Sequence, residues 1–258
     1  MTEPVLWAKL SWHELETLAR RPPHMAMWPV GAIEQHGKHL PTDVDVRNCE
    51  EVARAVSART GVPLLPALPF GDSRFWEGWP GTLTLQPETM AQLMLEISDG
   101  VVRTGFRRLL LLNGHIGNGP VLAIAEAKIR LRHPGLQVRA LGWWDVSPRV
   151  VAEMYSDSIP GTLRSFHAND GETSVYLAHS PEIVRSELAV DEPADYERPV
   201  FSYHSRKITQ SGCIGRPRAA TAEKGRRVLS WVVDDLAAVI EEAAKEPMPP
   251  DVWTVREP

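Results

Sequence analysis

The chain has 258 residues, about 1.7 times a nominal 150-residue domain, which favours one large domain, 1–258, over a string of modules. An apolar fraction of 43% with 24% charged residues excludes disordered and collagen-like chains. Lys+Arg 28 against Asp+Glu 33 gives a net charge of −5 without a basic stripe, so nucleic acid and anionic lipid are poor partners and a small molecule or peptide is the better one.

Met25 to Glu34 is an apolar run that stops at charge, as a buried strand does on reaching a surface. Asn48 can cap a helix in which Val52, Ala55, Val56 and Arg59 share a face and Gly61 closes it. VPLLPALPFG reads as a second extended run, its prolines placing it at strand ends or a sheet edge. Pro87 suits the first turn of a helix running to Gly105. FRRLLLLNG is then a strand, PVLAIAEAKIRLRH a helix stopped by Pro134 and Gly135, and GLQVRALGWW another strand, a succession that demands a parallel crossover. From Asp191 to Ala220 the pattern weakens into loop, and Thr221 to Lys245 is a long amphipathic helix packed on the outside. No repeat, low-complexity tract or linker interrupts the series. The expected fold class is α/β, a three-layer α/β/α sandwich with a mostly parallel central sheet.

Reactive groups in such sheets collect where strands end. Three segments fall there. Glu34-Gln35-His36-Gly37-Lys38-His39, followed by Asp43 and Asp45, packs two imidazoles and three carboxylates into twelve positions. Residues i and i+2 of an extended chain face one side, so Glu34 and His36 can meet, and the Gly37 and Pro41 bend can return Asp45 to them. Oxygen and nitrogen donors of this kind suit zinc, manganese or iron, and a carboxylate can bridge two ions. The plainer reading is a polar loop with His36 satisfied by hydrogen bonds. Asn113-Gly114-His115-Ile116-Gly117-Asn118 follows a strand and could place a ligand, cradle a phosphate or simply start a helix. Phe166-His167-Ala168-Asn169-Asp170-Gly171-Glu172-Thr173-Ser174 adds an imidazole and carboxylates, with Thr173 and Ser174 open to a role as helix caps.

Taken together, EQHGKHLPTDVD, NGHIGN and HANDGETS resemble the creatininase family of metal-dependent amidohydrolases, with SGCIGRPRAAT similar to a family segment near the C-terminus. The similarity spans roughly Met25 to Val233. It implies the α/β/α fold, two divalent ions (Zn, Mn or Fe) and hydrolysis of a C–N bond in a small cyclic or linear amide. Carried over residue by residue, it makes Glu34, His36, Asp45, His115 and Glu172 the metal ligands, Asp45 bridging, and His167 a proton-transfer residue. Glu172 could instead be the base. The family's creatinine-hydrolysing members carry a glutamate where this chain has Gly117, so the second ion must be held differently, with Glu172 the natural replacement. They also carry a tryptophan shortly before the position of His167, where this chain offers Leu163, which turns the expectation away from creatinine. Trp144 matches an aromatic lining the family pocket. Trp76, Trp79 and His39 join it as expected substrate contacts, with packing between layers as the alternative for the tryptophans. The resemblance further implies a homo-oligomer, a hexamer or a dimer-based assembly.

No G-x-S-x-G elbow is present for a serine hydrolase. A thiol enzyme would need Cys49 or Cys213 beside a base, and burial is the simpler role for both. A short-peptide peptidase of the same family and a non-catalytic metal-binding scaffold are the alternatives. Two cysteines make no disulfide framework, no window approaches 18 apolar residues, and the first residues lack a signal-peptide core, so the expected setting is cytoplasmic and off the membrane.

Overall fold

The computed structural model describes residues 3–157, 167–194 and 201–249. Three strands form its sheet, β1 (Met25–Val30), β2 (Arg108–Asn113) and β3 (Gln137–Gly142), in the order β1-β2-β3 and all parallel. On the outer side of β1 the VPLLPALPFG segment follows the edge without becoming a strand. Leu65 donates to the Met27 carbonyl, and Gly31 to that of Leu68, while Pro66 between the two leucines interrupts the ladder.

The period of two along each strand builds the two cores. Met25 and Met27 of β1 and Leu110 and Leu112 of β2 face α2 (Val44–Thr60), α5 (Pro148–Met154), α6 (Asp170–His179) and α7 (Ala222–Lys245). Ala26, Trp28, Val30, Leu109 and Leu111 face α1 (Trp12–Ala19), α3 (Pro87–Thr104) and α4 (Gly119–Arg132). This is the α/β/α sandwich, with helices on both faces of a parallel sheet. The helix expected from Pro87 ends at Gly105, which adopts φ 105 and returns its amide to the last turn. Helix α7 is amphipathic as expected and caps at Thr221. Its Val228, Val232 and Leu236 are fully buried, so it forms part of the layer rather than an outer decoration.

Two readings of helix starts need correction. Helix α2 begins at Val44, not after Asn48, so Asp45 lies on its first turn, where a carboxylate meets the positive end of the helix dipole. Asn48 sits a turn further in and binds His179 Nε2 at 2.8 Å. Helix α6 is capped by Asn169, whose Oδ1 accepts from the Glu172 amide at 2.9 Å, which leaves Thr173 and Ser174 inside the helix rather than capping it. Helices α1 and α5 are additions that the sequence pattern did not offer. The loop expected between Asp191 and Ala220 holds among the described residues, with short 3-10 turns at 205–207 and 217–219. None of the described helices is long and apolar enough to cross a membrane.

Candidate metal centre

The ends of β1 and β2 and the first turns of α2 and α6 converge on one buried cluster. Close approach is possible because Gly31 and Gly114 have no Cβ: one built at Gly31 would stand 2.4 Å from Val46 Cα, and one at Gly114 2.3 Å from the Asp45 carbonyl oxygen. These two glycines let the start of α2 press against the strand ends and carry Asp45 between Glu34 and His115. From the other side comes the turn before α6. Ala168 takes φ 50, a conformation strained for a residue with a Cβ, and its amide donates to Glu172 Oε2 at 2.7 Å. That turn aims His167 and Glu172 at the same point.

Asp45 is central. Its Oδ2 is 3.2 Å from His115 Nδ1 and its Oδ1 is 3.4 Å from His36 Nε2. Glu34 Oε2 lies 3.3 Å from His115 Nε2, Glu34 Oε1 lies 3.5 Å from His167 Nδ1, and Glu172 Oε2 lies 3.9 Å from His36 Nε2. Three sets of potential donors result: Glu34, Asp45 and His115; His36, Asp45 and Glu172; and Glu34, His36 and His167, the ligand atoms of each lying within 4.8 Å of one another. Asp45 belongs to the first two with a different oxygen toward each histidine.

Each imidazole is held by a backbone carbonyl. His36 Nδ1 is 3.2 Å from the Glu34 oxygen, His115 Nε2 is 3.1 Å from that of Asp72, and His167 Nε2 is 2.7 Å from that of Gln35. A carbonyl accepts only from N–H, so in the neutral rings these contacts fix the proton on the outer nitrogen and turn the inner lone pair into the cluster. That is the arrangement in which histidines ligate metals.

The charge distribution fits the same reading. Burial pushes the carboxyls of Glu34 and Glu172 up to about 7. Burial works against the charged forms of His36 and His115, yet the neighbouring carboxylates prevail, Asp45 first for His36 and Glu34 first for His115, and raise them to about 10 and about 9. Asp45 resists its own burial because His36 and His115 flank it, and it lies well below the usual carboxylate range. His167 goes the other way: burial, then the adjacent His36, hold it well below the ordinary imidazole value and therefore neutral. Both Glu34 oxygens, His36 Nε2 and Asp45 Oδ2 are buried without a hydrogen-bond partner. Orphaned buried groups of this kind cost about 1–3 kcal/mol each, more when charged, and divalent cations among them would satisfy the whole set. The donors present fit such ions.

Over the cluster lies a cavity of about 130 Å³, lined by Asp45, His115, His167 and Glu172 and by Trp76 and Trp144 among the expected aromatics. Trp76 stacks on His167 with ring centroids 3.9 Å apart at 25°. Trp79 and His39 lie outside this lining. Trp79 donates from its indole to Ser205 Oγ at 3.0 Å, and His39 binds Thr173 Oγ1 at 3.0 Å, with burial lowering it to about 4. Leu163 and Phe166 fall outside the described residues. Neither thiol is primed for attack: burial pushes Cys213 up to about 11, and Cys49, more than a turn inside α2 and donating to the Leu112 carbonyl at 3.2 Å, higher still. Sequence reasoning missed Gln35 as the group that orients His167, although it lies between Glu34 and His36, and missed Phe75, Ile116 and Ile214 in the cavity wall.

Comparison with known proteins matches this arrangement. A family model described as "Creatininase: Creatinine amidohydrolase" matches residues 8–240. The chain is 32% identical over 256 residues to the creatinine amidohydrolase of Pseudomonas putida, covering 94% of this chain and 98% of that protein. It is 31% identical to the mycofactocin precursor peptide peptidase of Mycolicibacterium smegmatis, covering 83% of each. The crystal structure of creatinine amidohydrolase superposes with a TM-score of 0.83 at 30% identity, covering 95% of this chain and 99% of that one. Solved creatininases that match equally well include a zinc–zinc form and a manganese form. The chain therefore belongs to the creatininase family, as a hydrolase of carbon–nitrogen bonds with a cluster of residues able to bind metal.

Proposed function

We propose that this chain is a dinuclear amidohydrolase that cleaves the C–N bond of a small cyclic or linear amide, lactam or formamide. The observation that carries the reading is Asp45, shared between two donor sets in a cluster where both Glu34 oxygens, His36 Nε2 and Asp45 Oδ2 have no hydrogen-bond partner. Glu34 and His115 would hold one ion and His36 and Glu172 the other, with Asp45 between them. Two divalent ions, zinc, manganese or iron, would polarise the substrate carbonyl and lower the pKa of water toward neutrality. The protein itself supplies orientation and proton transfer. His167, neutral and with its proton fixed on Nε2 toward Gln35, offers Nδ1 as the acceptor for a proton from the nucleophile and as the donor to the departing nitrogen, a contribution of typically about 10²- to 10⁴-fold. Glu172 Oε2 is pinned by the Ala168 amide, which fits a ligand held in place better than a base that must move.

The 31% identity to a peptide peptidase keeps a short peptide as the second reading for substrate, and a binding scaffold without turnover as the third. The resemblance also supports a homo-oligomer, which light scattering at micromolar concentration tests: a monomer would remove it; the cytoplasmic setting rests on the two cysteines and the sequence pattern alone. For the catalytic reading the test is reconstitution. Protein stripped of metal is expected to be inactive on an amide, lactam and formamide panel and to regain turnover with manganese, zinc or iron(II). Full activity without metal would sink the proposal, and bound ions without turnover on any substrate would favour the scaffold. His167→Ala should keep its metal and lose turnover; if it loses metal as well, His167 is a ligand.

A further inference from the structure

The cavity over the donor cluster has two unlike halves. One presents Asp45, His115, His167 and Glu172; the other is Phe75, Trp76, Ile116, Trp144 and Ile214. No lysine or arginine belongs to the described lining. Three members of the apolar half are held in place: Trp76 and Trp144 are buried, Trp76 is stacked on His167, and the backbone of Ile214 exchanges hydrogen bonds with that of His167 at 2.9 and 2.8 Å. Nor can the floor acquire a polar side chain at position 117. A Cβ on Gly117 would stand 2.3 Å from His115 Nε2 and 2.5 Å from the Asp72 carbonyl oxygen, so His115 in its observed place requires glycine there. The side chain that meets the cavity from this turn is the neighbouring Ile116.

Size and polarity together define what fits. A dry apolar cavity of about 150 Å³ takes a single benzene ring, and this one, at about 130 Å³, is of that order. A charge placed against such walls loses its water and gains no partner among the described residues, which is strongly unfavourable. We propose, resting on the metal-centre reading above, that the site selects amides whose substituent is one small neutral apolar group, a single ring or a short branched alkyl chain. Amides bearing a carboxylate on that substituent are excluded, with Ile116 as the specificity-determining residue.

Hydroxamates separate the two halves, because their paired oxygens seek the metal while the substituent samples the wall. The probes are benzohydroxamate and 4-carboxybenzohydroxamate, titrated calorimetrically into zinc-reconstituted full-length protein whose zinc content is measured in the same sample. Benzohydroxamate should bind at least about 30-fold more tightly than its carboxylate analogue. Ile116→Lys should narrow or reverse that ratio by about tenfold or more, through a charge-assisted contact. Ile116→Gln should weaken benzohydroxamate without helping the carboxylate. Equal affinities, within about threefold, in protein that retains zinc would overturn the specificity and leave the metal centre standing, as would a ratio unmoved in both variants. Protein that retains no zinc and binds neither probe would overturn the metal reading and this inference with it.

Discussion

Glu34→Gln separates the cost of the donor cluster from its use. Without ions, Glu34 is fully buried with neither oxygen in a hydrogen bond, and burial raises its carboxyl from 4.5 to about 7. A folded value above the unfolded one means that the folded chain holds the extra proton. Stability is therefore fully present below pH 4.5 and falls as pH rises to about 7, at about 1.4 kcal/mol per pH unit and about 3 kcal/mol across the window. Glutamine cannot ionise and escapes that loss, although His115, 3.3 Å away, then loses a partner and offsets part of the gain. At pH 8 the ion-free variant should thus equal the wild type or exceed it by up to about 2 kcal/mol, about 4–8 °C in melting temperature for a chain of this size. Ions reverse the order. At a free concentration 100 times Kd each ion stabilises by about 2.7 kcal/mol, so two give the wild type about 5 kcal/mol, while the variant keeps at most the ion between His36 and Glu172. The assay is calorimetric melting at pH 8 after chelation and again with manganese or zinc, with metal content measured alongside. A variant already more than about 3 kcal/mol less stable without ions would make Glu34 a structural residue, and equal gains from ions in both proteins would refute its ligand role.

Three further outcomes follow from the same geometry. His36 and His115, raised to about 10 and about 9 without ions, and Glu34 and Glu172, raised to about 7, must shed protons to ligate, so zinc affinity should climb between pH 6 and 9 with protons released, fewer above pH 7 than below it, read from calorimetry in buffers of different ionisation enthalpy; a flat profile contradicts it. Gly117→Ala should lower zinc content and kcat together by displacing His115, whereas unchanged metal stoichiometry would show that the ring tolerates a Cβ. Lys224 of α7 reaches Asp170 Oδ2 at 2.5 Å in the first turn of α6, and Lys224→Met, which leaves that carboxylate buried without its cation beside the Ser156 and Ser174 hydroxyls, should cost about 3–5 kcal/mol in urea unfolding; a loss below about 1 kcal/mol would mark the pair as marginal.

What could be seen in the sequence follows from which signals are local. The aliphatic run before Asn113, the Pro87 start and the Gly105 stop are read within a few residues, and they place β2 and α3 correctly. Helix α2 was legible only from Cys49 onward, because its first turns carry Asp45, Arg47 and Asn48, polar residues that look like loop until the strand ends are packed against them. Helix α5 is seven residues long and takes its support from Val150 and Met154 in the core, a tertiary signal with no periodicity to reveal it. At the site, the donors Glu34, His36, Asp45, His115 and Glu172 stood out by density and by family resemblance, and the fold brings them together. The apolar wall did not stand out, since Phe75, Ile116 and Ile214 come from three distant segments and meet only through the chain's path.

The most direct test of the account is the anomalous scattering of crystals grown with zinc or manganese. Two peaks about 3.5–4 Å apart are predicted, with Asp45 touching both ions, Glu34 and His115 on one, and His36 and Glu172 on the other. A single peak, with Glu172 out of reach of any ion, would contradict the dinuclear centre.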